Sequence, residues 1–195
     1  MRRARPILRW WPVLLLAANA APAPASDALA LDDVRSQAEF EVKLMWLIGL
    51  RGEFGAVHGT LTLDRFHGTA QVEARIDTND LHMRSRSYEA WAKSAEFFDS
   101  AHYPQIAFAS EPFALQRLTR GGEVEGLLTI RGKARHVRFE LEPPVCADPL
   151  AGTCPVRAAG SIRRSDFDMR SRRGTLADRV QLRLAVYVRP GAAAG

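Results

Sequence analysis

The 195-residue chain carries 27 Lys and Arg against 22 Asp and Glu, a formal charge of +5. Arg2, Arg3, Arg5 and Arg9 lie in a stretch of 25 residues without an acid, and setting that stretch aside leaves 23 basic groups against 22 acidic ones. The near-neutral remainder lacks the basic excess that a phosphate backbone requires, which excludes nucleic acid as the expected partner.

Met1-Arg2-Arg3-Ala4-Arg5 begins a basic segment, Trp10 to Ala18 supply an apolar stretch broken by Pro12, and Ala18-Asn19-Ala20 offers small residues at cleavage spacing. A second such site lies in Ala21-Pro22-Ala23-Pro24-Ala25. Residues 1–25 are therefore expected to be a secretory signal cleaved between Ala20 and Ser26, with export to the periplasm. Arg9 and Pro12 interrupt the run too early for a membrane span, and no cysteine precedes Cys146, so neither a membrane anchor nor a lipidated N-terminus is expected. Residues 26–190 suit one domain, and a frayed tail is expected over Gly191–Gly195.

From residue 39 the pattern is alternation, the signature of strands with one wet and one dry face. Phe40, Val42, Leu44 and Trp46 face inward against Glu39, Glu41 and Lys43, and Ala70, Val72, Ala74 and Ile76 inward against Gln71, Glu73 and Arg75. Further strands are expected around Gly52–Leu63, Gln105–Ser110 with Phe113–Leu118, Val124–Ile130, Val137–Leu141, Ala158–Ile162 and Val180–Arg189. About eight antiparallel strands joined by short glycine turns make an all-β sandwich or barrel. Inward positions at Gly52, Gly59, Ala70, Ala74, Gly126, Ala158 and Gly160 leave space that a filled sandwich would not, although glycine also relieves the curvature of a coiled sheet. An eight-stranded barrel with room for one ligand is expected.

One stretch changes period: "SAEFFDSAHYPQIAFAS", residues 94–110. Tyr88, Trp91, Ala92, Ala95 and Phe98 recur at helical spacing behind Ser87 as N-cap and Glu89 in the first turn, which predicts one helix over about 88–98. Pro104 forces Tyr103 extended, and Ile106 and Phe108 resume a strand. Phe97 and Phe98 point a helical step apart, so burying both requires a joint clasped between helix and barrel end. Such a joint serves as a plug of one barrel end or as a gate over a pocket mouth.

Cys146 and Cys154 sit between prolines and glycine in an exported chain, and a disulfide is expected. No histidine or cysteine partners stand at metal-ligand spacing, and no Cys-x-x-Cys occurs. The five histidines are scattered, and neither a G-x-S-x-G elbow nor a phosphate-cradling loop is present. Neither catalysis nor a cofactor is expected.

"HGTLTLD" (58–64) after Gly52-Glu53-Phe54-Gly55, then "SAEFFDSAHYPQIAFAS", then "VEGLLTIRG" (124–132), then "SIRRSDF" (161–167) resemble, in order and spacing, the YceI-like family. The resemblance spans roughly residues 30–189. It implies a lipocalin-like, eight-stranded antiparallel barrel in the periplasm, with a long apolar pocket for isoprenoid quinones or polyprenyl phosphates and no catalytic residues. Leu44 stands where the family often has histidine, and Asp168 where it commonly has glycine; both departures are expected to reshape one pocket end. Inward alternation nominates Phe40, Leu44, Trp46, Phe54, Val72, Ile76, Phe108, Leu128, Phe139 and Leu184 as lipid-binding residues, with Ala74, Gly126 and Ala158 making space. A carrier or reservoir for an isoprenoid lipid is the leading expectation. The alternatives are an enzyme modifying a lipid in the same pocket, or a disulfide-stapled interaction module using the helix and residues 143–156. Homodimerisation stays open.

Overall fold

Alternating side chains become paired backbone along most of the chain. The computed structural model describes residues 27–190, so the expected signal segment and the tail lie outside the described residues. One antiparallel sheet contains β1 (Asp27–Ala30), β2 (Gln37–Leu44), β3 (Ile48–Phe54), β4 (His58–Asp64), β5 (Thr69–Asp77), β6 (Leu81–Met83), β7 (Gln105–Ser110), β8 (Phe113–Ala114), β9 (Gly122–Ile130), β10 (Lys133–Leu141), β11 (Val156–Arg163) and β12 (Leu176–Val186). Two short helices, α1 (Arg86–Lys93) and α2 (Arg117–Arg120), interrupt it.

The strand order is β1-β4-β5-β7-β9-β10-β11-β12-β2-β3-β6, with β8 paired to β5. A single sheet curls around the core, instead of two sheets packing face to face. Its two edges are joined covalently: β5 runs through a 3₁₀ turn at Thr78–Asp80 into β6 on the far edge, and β3 runs through Gly55–Val57 into β4. At the β1 edge, Leu31 bridges to Val188 and the Arg189 amide donates to the Ala30 carbonyl, tying the first strand to the residues after the last. The result is an all-β, lipocalin-like curled barrel whose ladder is interrupted at those joints.

Twelve strands replace the eight expected. The run Gly52–Leu63 breaks at Gly55–Val57 into β3 and β4, and β1 and β6 are short segments with little alternation to reveal them. The segment Phe113–Leu118 is a strand only to Ala114, after which the chain turns into α2, closed by Gly121 at φ +78° and Gly122 at φ +124°. The expected helix over 88–98 is shorter, Arg86–Lys93, with Ser85 and not Ser87 at the N-cap. The Ser94 hydroxyl folds back to donate to the Trp91 carbonyl, and the residues that follow form turns.

β12 carries a register shift: Leu176 faces Leu44, yet Val180 faces Val42, so β12 has two residues more than β2 over the same span. Such a bulge frees backbone carbonyls from the ladder, and they need other donors. Arg164, buried just after β11, supplies them, with Nε donating to Ala177 O at 3.0 Å and Nη2 to Leu176 O at 3.0 Å. The Ser165 amide and hydroxyl donate to the Asp178 carboxylate at 3.0 and 2.7 Å, fastening the same bulge.

Candidate functional site: an apolar cavity inside the sheet

The dry faces of the strands surround a cavity of about 210 Å³, measured as the space the centre of a water molecule can reach. A site needs roughly 10–15 Å³ by that measure to admit one water, so this space takes a ligand of many atoms. Glu39, Tyr88, Trp91 and Arg164 bring the only side-chain nitrogen or oxygen atoms among the described lining residues; the remaining walls are aliphatic, aromatic or thioether. Apolar cavities of this kind stay dry and bind apolar guests.

Of the ten residues nominated by alternation, Phe40, Phe54, Val72, Ile76, Phe108, Leu128, Phe139 and Leu184 line the cavity. Leu44 does not; it packs against the core at the end of β2. Trp46 is a correction. The alternation of β2 stops at Leu44, and Met45 and Trp46 adopt φ of +49° and +65° in the turn to β3, which leaves Trp46 76% exposed and outside the cavity.

Ala74 and Ala158 border the open space, as their size suggested. The glycines do something else. A Cβ on Gly160 would meet the Phe139 ring at 2.8 Å, and one on Gly126 would meet the Phe108 ring at 2.7 Å. Gly52, paired with Phe40, is covered in the same way by that ring. Each glycine thus lets an aromatic ring lie flat against the wall instead of standing into the lumen. Phe108 and Phe139 then meet edge to face at 5.3 Å.

The two adjacent phenylalanines separate into different clusters. Phe98 packs edge-on against Phe40 at 5.7 Å and Phe54 at 5.6 Å, while Phe97 packs on Trp91 at 4.5 Å. Asp99 at φ +51° reverses the chain, its amide donating to Ser94 O. Buried Thr78 then holds the joint, its amide and hydroxyl donating to Pro104 O at 2.8 Å and Tyr103 O at 3.0 Å. α1 buries none of its residues fully, yet Tyr88, Trp91 and Ala92 line the cavity, so one helix forms a single layer over it. Alternation alone missed these lining residues together with Met83, Arg164 and Met169: the helix and turns supply all but Met83, which closes a strand of three residues, too short to show a period.

Among the described residues, Arg164 is the one buried cation of the wall. Its guanidinium donates to Met169 O, Ser171 O, Leu176 O and Ala177 O, and its charged carbon lies 6.0 Å from the Phe97 ring centre. Burial lowers its pKa from the usual arginine value, the Asp178 carboxylate opposes that shift, and Arg173 adds to it. Guanidinium still remains charged. Asp168, where the resembled family commonly has glycine, sits at φ +60° capping the turn after Arg164, a conformation that Asp tolerates better than most residues.

Cys146 and Cys154 are disulfide-bonded, with Cα atoms 6.0 Å apart. Their loop docks on the β1 corner through Gly152, whose carbonyl accepts from Arg35 Nη2 at 2.9 Å. Among the described residues no three His, Cys, Asp or Glu converge on a point that could hold a metal, and no helix is long and apolar enough to cross a membrane.

The YceI-like domain family model matches residues 29–188. The chain belongs to that family. YceI-like relatives include a UPF0312 protein of Pectobacterium carotovorum subsp. carotovorum, 27% identical over 76% of this chain and 78% of its own. Another, from Enterobacter sp. strain 638, is 29% identical over 75% of this chain and 77% of its own. Two solved structures share the fold. BcnA of Burkholderia cenocepacia aligns at a TM-score of 0.64 with 21% identity, over 80% of this chain and 98% of that one. A Saccharophagus degradans protein described as a polyisoprenoid binding domain implicated in plant cell wall breakdown aligns at 0.60 with 14% identity, over 84% and 98%.

Proposed function

We propose that this chain is a non-enzymatic periplasmic carrier or reservoir for an isoprenoid lipid, an isoprenoid quinone or a polyprenyl phosphate, held inside the curled sheet. The observation that carries the proposal is the cavity, with walls almost wholly apolar and walled by Phe40, Phe54, Val72, Ile76, Phe108, Leu128, Phe139 and Leu184. At roughly 25 cal/mol per Å² of apolar surface, a few hundred Å² of buried chain supplies several kcal/mol without directed bonds. Such a site selects by shape and length. The description of the Saccharophagus relative as polyisoprenoid binding supports the ligand class, and the disulfide is consistent with an oxidising compartment. Catalysis on the bound chain would need an acid, base or nucleophile beside it, and among the described lining residues only Glu39, Tyr88 and Arg164 offer that capacity, the last engaged with four carbonyls.

Organic extraction of the purified protein and mass spectrometry should recover an isoprenoid lipid. Ala74→Trp and Ala158→Trp place an indole in the open space, and each should lose most of that lipid while thermal unfolding shifts little. Filling a packed core instead would cost about 1–3 kcal/mol. Destabilised variants with undiminished lipid content would refute the site.

A further inference from the structure

The turn between β2 and β3 presents an apolar tip to solvent. Met45, Trp46, Leu47 and Ile48 are 60%, 76%, 86% and 55% exposed. Four large apolar side chains in a row at a hairpin tip are unusual, since such turns favour Asn and Gly, above all where two successive residues take φ > 0 as Met45 and Trp46 do. The ladder runs up to Leu44–Ile48, so the tip is held on paired backbone.

A basic loop lies beside it. The Met45 amide donates to Thr175 O at 2.6 Å, and the Thr175 and Leu176 amides donate to Arg172 O at 3.0 and 2.8 Å, which places Arg170–Gly174 against the turn. Arg170, Arg172 and Arg173 are exposed. Arg170 pairs with Asp168 at 3.5 Å, whereas Arg172 and Arg173 form no ion pair among the described residues. The assembly abuts the cavity wall at two points, since Leu176 lines the cavity and the Arg172 guanidinium lies 5.7 Å from the ring centre of Trp91, another lining residue.

We infer that the Met45–Ile48 tip and Arg172–Arg173 form a docking surface for an anionic bilayer. Trp and neighbouring aliphatic side chains partition into the headgroup region, and unpaired arginines beside them are drawn to anionic lipid. A second copy of the chain would bring another pair of uncompensated arginines to the patch, whereas an anionic bilayer neutralises them. Docking there sets the cavity wall against the membrane that holds an isoprenoid lipid. The inference rests on the proposed lipid-carrier function only for its purpose, not for the binding itself.

Flotation of the purified chain with vesicles of phosphatidylethanolamine and phosphatidylglycerol, compared with phosphatidylcholine alone, tests it. Wild-type and variant chains share the same N-terminus, so any contribution of residues 1–26 is common to all. The wild type should float with anionic vesicles and much less with neutral ones. W46S/L47S should lose at least about tenfold in partitioning, and R172Q/R173Q about fivefold per arginine at low salt, an effect that high salt reproduces in the wild type. Thermal unfolding of each variant should match the wild type, because the side chains are exposed. Equal flotation of wild type and W46S/L47S, no preference for anionic vesicles, or a dimer that W46S/L47S converts to monomer overturns the inference. Lipid extracted from each variant is scored separately: W46S/L47S should retain it, so failure of docking and failure of the cavity assignment are distinguishable.

Discussion

Four carbonyl oxygens, those of Met169, Ser171, Leu176 and Ala177, accept from one buried guanidinium. Arg164→Met keeps the volume and strands these acceptors, each worth roughly 1–3 kcal/mol when buried and unpaired. Partial hydration softens the sum, so R164M should destabilise by about 3 kcal/mol or more in urea unfolding, and R164K by less, because an ammonium keeps the charge without the fork. A loss under about 0.5 kcal/mol for R164M would contradict the clamp. At the surface, Lys43 and Arg51, each 2.7 Å from Glu41, hold its carboxyl at about 2. Because the folded value is depressed, this stabilisation is present above the ordinary glutamate value and drains away as pH falls from there toward about 2. Both basic partners are largely exposed, so Glu41→Gln should cost only about 0.5 kcal/mol at neutral pH and flatten that part of the acid limb of the stability profile. Side-chain periodicity could not have found Arg164: it stands in a charged run, Arg163-Arg164-Ser165-Asp166, that reads as solvated surface. Its burial follows from a bulge formed 12 residues later in β12.

Strands with long alternation, such as β2, β5, β9 and β12, were legible because every second residue reports the same face. Where alternation stopped, extrapolating it failed: Trp46 continues the parity of Phe40, Val42 and Leu44, but the backbone has already turned. The helix was legible in kind and wrong in extent, since Phe97 and Phe98 are brought to the cavity by turns and not by helical geometry. The 146–154 disulfide was legible from the placement of its cysteines together with the expected export of the chain. It closes a short loop, so the chain-entropy model assigns it about 2.5 kcal/mol. C146A/C154A should therefore lower the thermal midpoint by several degrees and loosen the contact of Gly152 with Arg35, read as faster amide exchange around residues 31–36 and 187–189. Unchanged exchange at that corner would show the loop to be docked independently of the bridge.

For the molecule as a whole, alternation fixed which face is dry but not how the dry faces share their space. Glycine at an inward position admits two meanings, an empty wall or a seat for a neighbouring ring, and cross-strand register decides between them. Phe40 opposite Gly52 and Phe139 opposite Gly160 show the second meaning, and register is set by turns whose lengths alternation leaves undetermined. The lumen is consequently cleared by rings lying on glycines as well as by small residues at Ala74 and Ala158.

The pairing of β2 with β12 sets Glu39 beside Arg183, about 140 positions along the chain. A polypeptide made from its N-terminus has no partner for that edge of β2 until its last strand appears. Contacts so distant in sequence slow folding, and a bare strand edge meanwhile offers a template to any other chain. The free edge of β2 is thus exposed to mispairing for as long as β12 is missing. A chain truncated before Leu176 would keep β3 paired with β6 but leave the other edge of the hairpin, along β2, permanently bare, a more serious fault than the loss of one strand from an open row.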